Sequence, residues 1–101
     1  MAYKRVILSQ AQIEYKEIVS YLTTILKSPQ AARNFIDEFT RQIDMICENP
    51  NLFALSRIPE LAAHGFRPVF VNNYVALIVI KEETVYVAHV FHQTQDYANL
   101  V

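Results

Sequence analysis

The chain has few of the residues that mark several special protein classes. Its 101 residues include one glycine, one cysteine and no tryptophan. A single glycine among 52% apolar residues excludes collagen-like and low-complexity sequences and argues against intrinsic disorder. The lone Cys47 cannot form a disulfide or a cysteine-based zinc cluster within one chain. We therefore expect a single domain over residues 1–101, stabilised by its own apolar core.

Long apolar runs and an excess of one charge are also missing. The longest apolar run, Tyr74–Ile80, is far shorter than the ~20 residues that span a bilayer. The first residues contain neither the apolar segment nor the small-residue cleavage site of a secretory signal, so we expect a cytoplasmic protein with no membrane partner. The net charge of −1 and the pI near 6.3 disfavour broad electrostatic binding to nucleic acid.

Three apolar segments near the C-terminus predict β-strands. They are Phe66–Val71, Tyr74–Ile80 and Thr84–Phe91, and all three are rich in β-branched and aromatic residues. Two-residue breaks separate them, Asn72-Asn73 and Glu82-Glu83, and asparagine tolerates the positive φ of a tight hairpin. We predict an antiparallel meander that the preceding helices must cover.

Two helical patterns precede this meander. Gln10 to Lys27 has helical periodicity, and Ser9 is the predicted N-cap of a capping box. Ser28-Pro29 ends this helix and begins a second one, which runs to Asn49-Pro50. Because almost no loop joins the two helices, we predict an antiparallel helical hairpin. The apolar stripes comprise Ala11, Tyr15, Ile18, Leu22 and Ile25 in the first helix and Ala32, Phe35, Ile36, Phe39, Ile43 and Ile46 in the second.

The remaining segments complete an α+β fold. Tyr3–Leu8 is interpreted as a short edge strand. Residues 51–64 are predicted to form a loop with a helical turn around Pro59–Ala63, and the tail Gln93–Val101 to add a short helical turn. The predicted order is β-α-α-β-β-β, with the helical hairpin packed on one side of a small antiparallel sheet.

Arg67 is the first candidate for chemistry, because it is a lone cation at the start of an apolar strand. The simpler interpretation is a strand-end charge, exposed or paired with Glu60 or Asp96. No phosphate-binding loop, nucleophile elbow or paired-carboxylate signature accompanies it. We therefore expect no cofactor and no metal.

The last strand and the tail contain the other candidates. His89 and His92 are three residues apart, which places them on opposite faces of a strand, so they cannot bind one metal together. His89 is expected to be a buried or rim histidine, and His92 could act as a general acid or base. Tyr97 is interpreted as an anchor that attaches the tail to the core. Outside these segments, Cys47 of the second helix is interpreted as a core or flank residue.

Six short motifs follow one another along the whole chain. They are Ser9 after the opening strand, Ser28-Pro29-Gln30-Ala31-Ala32, Glu48-Asn49-Pro50, Gly65-Phe66-Arg67, Asn73-Tyr74-Val75 and His92-Gln93-Thr94-Gln95-Asp96. In this order and spacing the chain resembles the RelE/ParE superfamily, the toxins of type II toxin–antitoxin systems. The resemblance implies the fold predicted above and a cognate antitoxin as partner.

The superfamily contains two activities with different requirements. RelE-like members cut mRNA on the ribosome, and the resemblance would then make Arg67, His92 and Tyr97 the catalytic residues. ParE-like members inhibit DNA gyrase through protein contacts and need no catalytic residues. The cations expected after the last strand are replaced by Gln93-Thr94-Gln95, and the loop before the meander keeps only Arg57.

The resemblance is therefore closer to the ParE-like branch. Of the His-x-Arg-Arg-Asp pattern of that branch, this chain has His92 and Asp96 but neither arginine. It implies a plasmid-stabilisation toxin that inhibits DNA gyrase and is neutralised by an antitoxin. Two alternatives remain open. One is a RelE-like ribosome-dependent endoribonuclease, and the other is a toxin-derived module that binds partners without activity.

Overall fold

The structure is a computed structural model that describes residues 2–101. The chain forms, in order, β1 (Lys4–Ile7), α1 (Ser9–Ser20), a π-helical turn (Tyr21–Ile25), α2 (Pro29–Glu48), a 3-10 turn (Pro50–Leu52), α3 (Pro59–Ala63), β2 (Arg67–Val71), β3 (Tyr74–Lys81), β4 (Thr84–His92) and a 3-10 turn (Tyr97–Asn99). The predicted order is confirmed, including the short helical turns before the meander and in the tail. No helix in the described part is long and apolar enough to cross a membrane.

The four strands form one mixed sheet in the order β1-β4-β3-β2. The predicted antiparallel meander of β2, β3 and β4 is confirmed. The edge strand β1, however, lies parallel to β4, with Lys4 opposite Thr84 and Ile7 opposite Val87, where we predicted a wholly antiparallel sheet. Tight turns force the meander strands to be antiparallel, whereas β1 and β4 are connected through the helices and can be parallel.

The last part of β4 has no neighbouring strand on the side of β1 among the described residues, because β1 ends at Ile7. A β-bulge interrupts the alternation of β4 here, since Leu77 of β3 lies opposite His89 while Ile78 lies opposite Val87. The extra residue, Ala88, shifts the side chains that follow it by one position. Helix α1 packs beside this open edge, and the two together create the groove described below.

The main core lies between the sheet and the helical hairpin. Phe35, Phe39 and Ile43 of α2 and Leu22 of the π turn are buried, as predicted, and Ile18 is partly buried against them. The rings of Tyr15, Phe35, Phe39 and Tyr74 form a cluster with neighbouring centroids 4.9 to 6.0 Å apart. Such aromatic contacts add about 0.5–1.5 kcal/mol per pair to area burial. They attach α2 to both α1 and β3.

The two helices begin differently. At α2 the predicted cap is confirmed, because the Ala31 N–H donates to Ser28 Oγ at 3.1 Å and Pro29 occupies the first helical position. At α1 the predicted capping box is wrong. Ser9 is already helical, no side chain caps the helix, and Gln12 Nε2 donates to the Ile7 carbonyl at 2.8 Å instead. The cap position is occupied by Leu8, whose apolar side chain cannot accept a hydrogen bond from the first turn.

The end of the first helix widens into the π turn. The Leu26 N–H donates to the Tyr21 carbonyl, five residues back, at 3.0 Å. The wider turn shifts its last residues off the α-helical stripe, so Ile25 is 67% exposed, where the stripe predicted it inside. Ile36 of the second stripe is also exposed, because it lies at the outer margin of the hairpin.

A smaller core covers part of the other face of the sheet. Leu61 of α3 packs there with Val75, Leu77 and Phe91, and Tyr97 of the tail lies against them. The rings of Tyr97 and Phe91 stack with centroids 6.3 Å apart. The prediction that Tyr97 anchors the tail is confirmed.

Candidate binding groove

A groove of about 680 Å³ lies between α1, the π turn and the end of β4. One side of the first helix forms one wall, because residues three and four apart in a helix lie on the same side. The end of β4 forms the other wall. The lining side chains are Gln10, Glu14, Glu17, Ile18, Tyr21, Leu22, Leu26, Asn73, Tyr74, Val90, Phe91, His92 and Gln95. Of the predicted site residues, this set contains only His92.

The lining residues make the groove acidic and apolar. Glu14 and Glu17 contribute carboxylates, and neither lysine nor arginine is present in the lining. Ile18, Leu22 and Tyr74 provide an apolar floor. Burial raises the pKa of the Tyr74 hydroxyl, and the neighbouring Tyr21 adds to the effect, so Tyr74 stays neutral. Such a surface attracts cations and apolar side chains and repels phosphate.

Glu14 joins α1 to the open edge of β4. The Val90 N–H donates to Glu14 Oε1 at 2.8 Å, and Glu14 Oε2 lies 3.2 Å from His89 Nδ1. An edge strand presents backbone donors that need acceptors once they are buried. Sequence reasoning did not single out Glu14. A signal was present, because Glu14 lies three residues after Ala11, on the buried side of the helix.

His92 lies at the rim of the groove with its ring against Tyr74, at a centroid distance of 5.1 Å. The Thr94 N–H donates to His92 Nδ1 at 3.2 Å, and the Thr94 hydroxyl lies 2.7 Å from the same nitrogen. These contacts assign Nδ1 as an acceptor and leave the proton of the neutral ring on Nε2. In this state His92 has no free basic nitrogen, which disfavours a role as general base. His89 stacks on Phe91 on the other face, as the spacing predicted.

Arg67 has a structural contact. Its Nη1 donates to the Phe53 carbonyl at 2.6 Å, in a half-buried position. Within residues 2–101 Arg67 forms no ion pair with Glu60 or Asp96, the two carboxylates that the sequence suggested. The guanidinium instead fastens the loop after α2 to the first residue of β2.

The structure does not bring the three predicted catalytic residues together. In the register of the meander, Arg67 and His92 are four residues apart along the strands and two strands apart across the sheet. Strand spacings convert this offset to roughly 16 Å between their Cα atoms. Tyr97 lies on the opposite face of the sheet from both, against Phe91. A catalytic role for these residues stays a prediction.

The other reactive side chains do not form a second site. Burial raises the pKa of the Cys47 thiol, which keeps the sulfur protonated and unreactive. No group of three or more His, Cys, Asp or Glu side chains in residues 2–101 could hold a metal ion. The groove, in which His92 lies near the carboxylates of Glu14 and Glu17, is therefore the candidate functional site.

Comparison with known proteins agrees with this fold. A family model for the ParE toxin of the type II toxin–antitoxin system parDE matches residues 6–97. The chain has no significant match among curated proteins. Its structure is similar to a chromosomal ParDE toxin–antitoxin system from P. aeruginosa, with 15% identity, a TM-score of 0.68, and coverage of 90% of this chain and 96% of that one.

A second similar structure is the toxin–antitoxin complex RelBE2 from Mycobacterium tuberculosis. The identity is 17% and the TM-score 0.61, with coverage of 91% of this chain and 99% of that one. At these identities the two structures establish the fold. The family match spans nearly the whole chain and confirms the RelE/ParE resemblance that the sequence motifs predicted. The chain belongs to the ParE toxin family of type II toxin–antitoxin systems.

Proposed function

We propose that this ParE-family toxin inhibits DNA gyrase through protein contacts, without cleaving RNA, and that a cognate antitoxin neutralises it. The observation that carries the proposal is the charge of the groove around His92. Two carboxylates line this groove, and no lysine or arginine does. A site that cleaves RNA must instead place cations beside the phosphate where charge develops.

The position of Arg67 supports the same conclusion. RNA binding gains its affinity from several neutralised phosphates. Arg67 already donates to the Phe53 carbonyl at 2.6 Å and lies roughly 16 Å from His92 by strand geometry. The guanidinium of Arg67 is therefore engaged by the fold, and its backbone position is distant from that of His92. His92, whose Nδ1 accepts from Thr94, also lacks the free nitrogen of a general base.

A protein partner is supported by apolar side chains that the chain leaves exposed. Tyr21, Ile25 and Leu26 form an exposed apolar stretch at the end of the first helix. Contiguous apolar surface of this kind marks protein-binding sites. The two similar solved structures are toxin–antitoxin systems. We expect the antitoxin gene to lie next to the gene for this chain and its product to cover apolar toxin surface on binding.

Induced expression in cells tests the proposed function directly. Wild-type protein should arrest growth with DNA breaks and leave translated mRNA intact, and co-expression of the adjacent antitoxin should restore growth. His92→Ala should still break DNA. Codon-linked mRNA cuts that disappear in Arg67→Ala or His92→Ala would replace the proposal by the RelE-like ribonuclease. A folded protein that causes no arrest but binds the antitoxin would support the inactive binding module.

A further inference from the structure

The groove between α1 and the end of β4 is lined by both acidic and apolar side chains. This lining restricts the chemistry of a segment that can bind there. We propose that it binds a segment of the antitoxin that presents a lysine or arginine between apolar side chains. This inference rests on the proposed function, in which an antitoxin neutralises the toxin, and adds where and how part of that antitoxin binds.

The shape of the groove favours a protruding segment. Its volume of about 680 Å³ lies within the 300–1,000 Å³ of sites that enclose a drug-sized molecule. A few side chains fit such a space, whereas the flat face of a folded domain does not enter it. The groove exists because β1 ends at Ile7 and leaves α1 and the end of β4 without a strand between them. A segment that becomes ordered on binding can enter this space.

The charge of the groove selects a cation. Glu14 is largely buried, and each of its oxygens already has one contact, with the Val90 N–H and with His89. Glu17, one helical turn further along α1, is exposed and lines the same groove. A carboxylate oxygen accepts more than one donor, so an entering lysine or arginine can contact both acids. The half-buried setting strengthens this attraction relative to open solvent.

The apolar part of the groove depends on the π turn. Tyr21 and Leu26, which the wider turn joins by a hydrogen bond, are 46% and 53% exposed and both line the groove. Leu22, between them, is buried beneath. Large apolar side chains at a groove rim gain free energy when a partner covers them. The antitoxin segment should therefore place apolar residues on both sides of its cation.

The test uses the full toxin and the complete antitoxin encoded by the adjacent gene, with affinity measured by calorimetry. Glu17→Lys should raise the Kd about tenfold or more, and Glu17→Gln should raise it less, because the first reverses a charge that the second only removes. The effect of Glu17→Lys should shrink at about 1 M salt, where the Debye length is ~3 Å. Leu26→Ser should raise the Kd about tenfold at any salt concentration, because it removes apolar contact area.

Two matched controls separate the groove from the overall surface. Glu48→Lys makes the same charge change at the exposed end of α2, and Leu55→Ser makes the same polarity change in an exposed loop. Both should change the Kd less than about twofold, as expected for sites outside the interface. Thermal melts of all variants should show that the exposed substitutions leave the fold intact.

Three results would overturn the inference. If the antitoxin binds and the groove variants match their controls, the antitoxin binds elsewhere, and the proposed function stands. If the groove variants lose gyrase inhibition while antitoxin affinity is unchanged, the groove contacts gyrase and not the antitoxin. If the antitoxin does not bind the wild-type toxin at all, both this inference and the proposed neutralisation fail.

Discussion

Replacement of Arg67 tests whether its guanidinium is structural, as the geometry indicates. Arg67→Ala removes the bond from Nη1 to the Phe53 carbonyl at 2.6 Å and leaves that half-buried carbonyl without its donor. Hydrogen bonds from charged groups contribute about 1.5–3 kcal/mol. We therefore expect the free energy of unfolding to fall by about 2 kcal/mol. For a domain of this size, that loss lowers the melting temperature by roughly 8–16 °C.

The assay is urea and thermal unfolding of the purified protein, with two comparison variants. Arg67→Lys keeps one cationic donor and should recover part of the lost stability, although it cannot reproduce the planar fork of arginine. Arg57→Ala removes an exposed cation from the same loop region and should change the free energy of unfolding by less than about 0.5 kcal/mol. Comparison of Arg67→Ala with Arg57→Ala distinguishes loss of the hydrogen bond to the Phe53 carbonyl from a general loss of positive charge.

One combination of results would refute a structural role for Arg67. If Arg67→Ala unfolds at the wild-type urea concentration but abolishes growth arrest, the guanidinium is not needed for the fold and acts on the target. The structural account of Arg67 would then be wrong, and the RelE-like alternative would gain support. If Arg67→Ala loses stability and activity together at 37 °C, repetition of the growth assay at lower temperature should restore the arrest.

Three further predictions follow from the core, a turn and a surface ion pair. Phe39→Ala should lower the free energy of unfolding by ~3–5 kcal/mol in urea titrations, because it deletes a buried ring of the aromatic cluster; an unchanged midpoint would remove Phe39 from the core. The double replacement Glu82→Asn with Glu83→Gly should raise the melting temperature, because both residues have positive φ, at 51° and 62°; a lower value would contradict the turn geometry. Hydrogen bonds from Arg41 and, second to it, from Gln42 hold the pKa of Glu38 at about 2, so any stabilisation from these contacts is present above the unfolded pKa near 4.3 and is lost as the pH falls towards 2. Arg41→Gln should raise the Glu38 pKa, followed by NMR titration, towards its usual range, while the hydrogen bond from Gln42 keeps part of the shift.

Hydrophobic periodicity predicted the elements of this fold well where packing alone decides the conformation. Phe35 and Phe39 lie where the stripe of α2 placed them, and the strands of the meander end within one residue of their predicted bounds. The Ser28-Pro29 pair also predicted the start of α2, because a cap is a local interaction between neighbouring residues. The same reasoning was wrong at α1, where Leu8 and not Ser9 occupies the cap position because the helix begins one residue earlier than the pattern indicated.

The features that sequence reasoning missed depend on contacts between distant segments or on competition between local conformations. The π turn follows a pattern that also fits an α-helix, and the hydroxyls of Thr23 and Thr24 donate to carbonyls four residues back, at 2.7 and 2.6 Å. The direction of β1 relative to β4 is set by a crossover that no local motif encodes. The partner of Arg67 is a backbone carbonyl, which has no signature in the sequence.

The candidate groove was predictable only in part. His92 and the ParE-like branch were identified from motifs, but no motif marks Glu14 or Glu17, which lie outside the apolar stripe of the first helix. Their importance becomes visible once β1 is seen to end early and expose the end of β4 to α1. The sequence shows that α1 contains these carboxylates, but only the structure shows that they face the end of β4.

The most direct test of the central claim is a supercoiling assay with purified components. Relaxed plasmid, DNA gyrase and ATP are incubated with the purified toxin, with and without its antitoxin. If the toxin inhibits gyrase, supercoiling should be lost and cleaved plasmid should accumulate, and prior addition of the antitoxin should reverse both effects. Unchanged gyrase activity at a toxin concentration that cleaves mRNA on purified ribosomes would contradict the proposed gyrase inhibition.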